Sequence, residues 1–411
     1  MPTSQLHPRP VETEVPPQRT AKPSLRLKTA ATLLIAGFLA ALILPLAGTD
    51  FKEREKTSQT ENRKLNEFPA WSWDGKALDA FPAKFDAAFN DHFGFRSLLV
   101  RWHGLFNLHC LGISPTENVV LGKQGWLYLL ESIKGYRGTK KLSKSEIDRW
   151  VLELKTKQAW CAARNIRYLV VVAPNKEDVY PEYLPSNVCR VRDYRYLDDI
   201  LAALGKDSGV EVVDLQKTLL TGKAMGEGLV YDRTDTHWSQ LGVFLATNEI
   251  LTRLQPWFPE LQPSPLSSRT LTRETKAGGD LAWMTGLQDQ ITEERVVISP
   301  SPTATFESAP MRFQLEWPVG ALQDPPLAFE AKTGERKHTV LVTGDSFGRG
   351  LMTYLPEHFQ RVVRLRPQLP YTAWFQSIIP TLVEAEKPDV FIDIYVSRSL
   401  KRAPKVPIGT R

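Results

Sequence analysis

Cysteine is scarce in this chain. Its 411 residues hold three, Cys110, Cys161 and Cys189, so at least one is unpaired. No CxxC pair and no Cys/His cluster at zinc spacing exists, which argues against a structural metal. If the chain lies outside the cytoplasm one disulfide is open to it, with Cys161 and Cys189 the nearest in sequence. Runs of Lys/Arg interleaved with aromatics are also missing beyond the first thirty residues. The net charge of +6 is mild and spread out, so nucleic-acid binding is not expected. No cofactor is expected either. A hydrophobic content of 42% beside 24% charged residues excludes a disordered chain.

Long apolar runs are equally rare: there is one. Residues 1–29 are rich in Pro, Thr and Ser and carry Arg9, Arg19, Lys22, Arg26 and Lys28 against Glu12 and Glu14, the composition of a disordered basic leader. Residues 30–49 then hold no charge, and about 20 residues of helix cross a hydrocarbon core of roughly 30 Å. Positive charge before the run places the N-terminus in the cytoplasm and the bulk of the chain outside it. A cleaved signal peptide is the rival reading. Against it stand the long leader, the length of the run and the lack of a good cleavage site.

Residues 50–115 read as a juxtamembrane connection and 116–405 as the main domain. In the connection, apolar residues at helical spacing from Leu78 to Leu98 predict a packing helix over 77–102. Residues 119–129 predict a hairpin turning at Gly122 to Gly125. Ser143 and Glu146 form a capping-box pair that opens a helix. Strands are expected at 167–173, 210–215, 339–343, 361–365 and 389–396, and helices at 194–204, 348–356, 372–386 and after Ser239. Residues 256–336 are Pro-rich, weakly periodic and read as an insertion. Strands alternating with helices mean an α/β fold, a parallel sheet with helices on both faces. Ligands bind such sheets beyond the carboxyl ends of the strands.

Asn175, Asp235, His237 and Ser346 all fall just past predicted strands. Asp235 and His237 are two apart in Asp235-Thr236-His237-Trp238, so in extended chain they face one side and the carboxylate reaches one imidazole nitrogen. Ser346 follows an apolar run and Gly344, as at a strand-to-turn junction. The three supply nucleophile, base and base-orienter. Either motif alone is also an ordinary polar loop or turn, and Asp235 with His237 can be read as metal ligands. Asp345 is expected to make turn hydrogen bonds.

The membrane run, Glu61-Asn62-Arg63, Gly122 to Leu127, Pro174-Asn175-Lys176 with Tyr180-Pro181, Asp235 to Trp238 and Gly344-Asp345-Ser346-Phe347 together resemble the SGNH-hydrolase-like polysaccharide O-acetyltransferases, the alginate O-acetylation proteins AlgJ and AlgX. The Asp/His block precedes the serine block, the reverse of ordinary SGNH hydrolases and the order of this family. The resemblance implies a flavodoxin-like, circularly permuted SGNH domain. It implies Ser346 as acetyl-accepting nucleophile, His237 as base and Asp235 as its partner. It further implies a polysaccharide acceptor, a membrane-bound O-acyltransferase as acetyl supplier, and an inner-membrane protein with its catalytic domain in the periplasm. Asn175 is an oxyanion donor or a strand-end cap. Lys176 and Tyr180 touch substrate or support their loop, and Trp238 shields His237, stacks on a sugar or packs in the core. Two departures stand out. No carbohydrate-binding module is expected after strand 389–396, and Ser397 stands where members often carry an acid before the arginine. An exported carbohydrate esterase and an idle scaffold of an export complex use the same features.

Overall fold

The computed structural model describes residues 25–53, 57–58, 63–312, 324–332, 336–367, 375 and 377–404. The leader up to residue 24, Glu61 and Asn62, and residues 372–374 and 376 of the helix expected over 372–386 lie outside them. Two compact units divide the chain, Met1–Leu99 and Val100–Arg411.

In the first unit the apolar run forms a helix, Leu25–Ala47. Its window Lys28–Ala47 has a mean hydropathy of 2.4, and its large apolar side chains are exposed. That length and surface fit a membrane anchor or a signal sequence. The single helix expected over 77–102 is instead two, Gly75–His92 and Arg96–Phe106. Asp74 caps the first, its carboxylate accepting from Ala77 N–H at 3.2 Å. The break follows from close packing at Gly94. A Cβ there would lie 2.2 Å from the Pro45 carbonyl, and Gly94 N–H donates to that oxygen at 3.1 Å. Helical periodicity continues through the break; the backbone does not.

The second unit is built on a seven-stranded sheet. Its strands are β1 (Arg167–Ala173), β2 (Glu211–Asp214), β3 (Phe306–Ser308), β4 (Leu327–Ala331), β5 (Thr339–Gly344), β6 (Arg361–Arg364) and β7 (Val390–Val396). They lie in the order β2-β1-β7-β5-β6-β4-β3. The first five in that order run parallel, as expected from the alternation of elements. The inserted stretch adds an antiparallel edge, β4 and β3, to the parallel core. Successive residues of β1 and β7 point to opposite faces, and both faces are covered. Leu169, Val171, Ile392 and Ile394 join a core with Leu241, Phe244 and Ile250 of helix Gln240–Leu254. Tyr168, Val170 and Phe391 join another with Trp150 and Leu154 of helix Lys144–Ala162. Burial on both sides is why these strands read as unbroken apolar runs. The Ser143–Glu146 capping box opens that second helix as expected.

One further expectation is corrected, and one possibility left open is closed. Helix 348–356 is a single turn, Gly348–Leu351, then a 3₁₀ turn at Leu355–Glu357. No disulfide joins Cys161 to Cys189. Both are free: Cys161 is buried beneath the sheet on helix Lys144–Ala162, and Cys189 is exposed in a loop. Desolvation pushes the Cys161 thiol up to about 12.

Candidate active site

The serine turn begins where β5 meets β7. Gly344 has φ +130°, and a Cβ on it would lie 1.9 Å from the Ile394 carbonyl, so only glycine lets the chain leave the sheet here. Asp345 locks the turn. Its N–H donates to Ile394 O at 3.1 Å, and its carboxylate accepts from Phe347 N–H at 3.0 Å, Val396 N–H at 2.6 Å and Ser399 Oγ at 3.0 Å. Ser346 is thereby held half-buried at the carboxyl end of β5. Among the described residues its N–H has no acceptor.

The histidine arrives on a loop pinched by the Tyr231–Trp238 bridge. His237 Nε2 lies 2.7 Å from Ser346 Oγ, and Nδ1 lies 2.8 Å from Asp235 Oδ1. The i, i+2 spacing thus places carboxylate, imidazole and hydroxyl in one hydrogen-bonded chain. Asp235 Oδ1 also accepts the His237 backbone N–H at 2.9 Å. Burial disfavours the imidazolium, but the hydrogen bond and charge of Asp235 and the charge of Asp280 outweigh it, raising the His237 pKa above 6.5. Burial likewise opposes ionisation of Asp235. The His237 contacts and the Asp280 N–H overcome it, and the carboxyl is held well below its usual range.

A second carboxylate was not foreseen. Asp280, from the inserted stretch, sits 3.5 Å from His237 Nδ1 and accepts Thr236 N–H at 2.6 Å and Thr236 Oγ1 at 2.5 Å. Its own N–H donates to Asp235 Oδ2 at 3.1 Å. Gly279 makes that approach feasible, since a Cβ there would lie 2.4 Å from Asp235 Oδ2. Glu293, from the same stretch, accepts Thr234 Oγ1 at 2.6 Å. The Gly278-Gly279-Asp280 sequence was the one visible hint of this brace. Ligand atoms of Asp235, His237 and Asp280 lie within 4.8 Å of one another, so among the described residues these three form a group that could hold a cation.

The other candidates surround this chain of contacts without forming part of it. Lys176 is buried, and its ammonium donates to the carbonyls of Asp232, Arg233 and Asp235 at 3.3, 3.0 and 2.7 Å. That is the loop-supporting alternative, and desolvation lowers its pKa to about 8. Tyr180 is buried, its hydroxyl accepting Val230 N–H at 3.0 Å. Trp238 is in the core against Phe347, whose ring also lies 5.1 Å from His237. Asn175 caps a short helix: Nδ2 donates to Asp178 at 3.3 Å and Oδ1 accepts Arg398 N–H at 3.1 Å. Arg398 is a further unforeseen neighbour. Its guanidinium lies 5.5 Å from the Phe347 ring, and its charge opposes the imidazolium of His237.

Among curated proteins, the probable alginate O-acetylase AlgJ of Pseudomonas aeruginosa is 30% identical over 210 residues, 51% of this chain and 48% of that protein. Its namesake in Azotobacter vinelandii is 24% identical over 257 residues, 62% of this chain and 59% of that one. This chain therefore spans about half the length of the curated relatives it matches. The solved structure of Bacillus cereus PatB1 superposes with a TM-score of 0.50 at 16% identity, over 70% of this chain and 100% of that one, a likeness of fold. Residues 119–365 match the family described as SGNH hydrolase-like domain, acetyltransferase AlgX; that is more than half of the chain, which belongs to this family.

Proposed function

We infer that this protein is an O-acetyltransferase that moves acetyl groups through an acetyl-Ser346 onto hydroxyls of an exopolysaccharide resembling alginate. The reading is carried by the hydrogen-bonded series Ser346, His237, Asp235 at the strand ends of an AlgX-family domain. His237 Nε2 takes the hydroxyl proton as Ser346 Oγ attacks the donor carbonyl. The tetrahedral intermediate collapses, the donor's leaving group departs with that proton, and an ester remains on Ser346. A sugar hydroxyl then attacks this ester as His237 takes its proton. The bond to Ser346 breaks, and the proton returns to Oγ. General-base help of this kind contributes about 10²–10⁴ in rate. The free N–H of Ser346 is suited to receive the oxyanion, and one such donor adds about 10²–10³.

The anchor helix fits a protein held in the inner membrane with this domain in the periplasm. Acetyl groups then reach it from a membrane-bound O-acyltransferase, since acetyl-CoA is cytoplasmic. The test is the acetyl content of secreted polymer from cells carrying wild type, Ser346→Ala or His237→Ala at matched protein levels. Both variants should yield polymer lacking the ester. Unchanged acetylation in Ser346→Ala would instead support a scaffold. A hydrolase remains the rival because His237 is 32% exposed, open to water as well as to sugar. Free acetate released at a rate that added acceptor does not suppress would favour it. Activity abolished by a chelator would favour a cation held by Asp235, His237 and Asp280.

A further inference from the structure

The second unit carries a groove of about 710 Å³ that neither Ser346 nor His237 lines. One wall is aromatic. Tyr183 is half-buried and lies flat against Trp126, with ring centroids 4.6 Å apart and planes 7° apart. Tyr180 packs on the same indole at 4.5 Å. The rest is bordered by charge. Lys223 is answered by Glu182 at 2.6 Å, Arg273 by Glu294 at 2.8 Å and Arg295 by Asp232 at 3.2 Å. Arg233 borders the groove too, and among the described residues its guanidinium has no partner. Its backbone is nevertheless fixed, the carbonyl accepting from Leu127 N–H at 2.9 Å and Lys176 Nζ at 3.0 Å. Arg295 also pairs with the buried Glu293 at 2.7 Å, so Arg233 is the lining cation that no carboxylate answers among the described residues, and it stands on a held support two residues before Asp235.

We propose that this groove binds a stretch of acidic polysaccharide, with Arg233 holding a sugar carboxylate and Tyr183 meeting the face of a sugar ring. A guanidinium takes a carboxylate through two parallel hydrogen bonds. Flanking ion pairs offer both donors and acceptors, which suits hydroxyls that also do both. The volume falls within the roughly 300–1,000 Å³ of ligand sites. The proposal rests on the O-acetyltransferase reading and adds a place where the acceptor chain is held beyond the reacting sugar.

The test is calorimetric binding of a defined oligouronate, and of a neutral oligosaccharide of equal length, to the full chain carrying Ser346→Ala. Arg233→Ala and Arg233→Glu are compared in that background. The parent should bind the oligouronate more tightly than the neutral chain, with affinity falling as salt rises. Arg233→Ala should weaken oligouronate binding about tenfold, and Arg233→Glu further. Melting temperature should stay close to the parent value in Arg233→Ala, because among the described residues that guanidinium has no hydrogen-bond or ion-pair partner to lose. Equal oligouronate affinity in parent and Arg233→Ala would overturn the proposal. So would equal affinity for both oligosaccharides, or binding of neither. Every protein compared lacks Ser346, so acyl transfer plays no part in the outcome. Failure of Ser346 to accept acetyl would leave these results standing.

Discussion

His237 can accept the Ser346 proton only when its imidazole is neutral. Asp235 and Asp280 raise its pKa above 6.5, so the rate should fall as pH drops through a value above that of an ordinary histidine. Arg398 opposes the imidazolium. Arg398→Gln should therefore raise the histidine pKa and move the acid limb of kcat/KM to higher pH. Asp280→Asn should move the limb down. A limb that shifts down in Arg398→Gln would contradict the assigned electrostatics. Asp235→Asn keeps the shape but loses the charge, and should lower turnover by about 10⁴; because native contacts hold that carboxyl well below its usual range, some stability at neutral pH should go with it. The contact of Ser346 with His237 and of His237 with Asp235 was legible because two short motifs place these residues after strands. Asp280 was not, since a lone polar residue in an aperiodic stretch carries no spacing signal; Arg398 falls just past a strand, but nothing in its spacing ties it to His237.

Individual elements add constraints of their own. The turn before Asp280 has no room for a side chain at Gly279, where a Cβ would lie 2.4 Å from the Asp235 carboxylate. Gly279→Ala should displace Asp235, lowering acetylation of Ser346 by at least about tenfold. A circular-dichroism melt should change far less than the rate. Strand β7 carries a different liability, the buried carboxylate of Asp393. It accepts from Lys157 Nζ at 2.9 Å and from Tyr168 Oη at 2.7 Å, all three side chains being buried. Asp393→Ala should cost about 3–5 kcal/mol in chemical denaturation, because the Lys157 charge stays buried with its pairing weakened. A loss below about 1 kcal/mol would show that Glu153, 3.1 Å from Lys157, suffices alone. Strands buried on both faces announced themselves as apolar runs. The helix break at Gly94 did not, because the demand comes from the backbone of Pro45 and Gly48, distant in sequence. The antiparallel edge was hidden for a similar reason: β3 and β4 are short and gain their order from β6.

At the scale of the whole molecule, the proposed reading gives the apolar helix and the serine–histidine domain separable roles. Removing residues 1–47 should leave a protein that still accepts acetyl on Ser346 from an activated ester in solution. The same truncation, exported by a cleavable signal, should fail to restore polymer acetylation in cells if acetyl supply occurs at the membrane. Fractionation of the intact chain should find it in the inner-membrane pellet. The architecture of this unit was legible from the alternation of strands and helices, and the position of the two motifs at the strand ends from where they fall along it.

The most direct measurement is the intact mass, with peptide mapping, of protein quenched during reaction with an activated acetyl ester. One acetyl group should appear on the peptide containing Ser346 in wild type, with accumulation greatly slowed in His237→Ala and abolished at that peptide in Ser346→Ala. Acetyl accumulating elsewhere, or on Ser346 at the same rate without His237, would contradict the account.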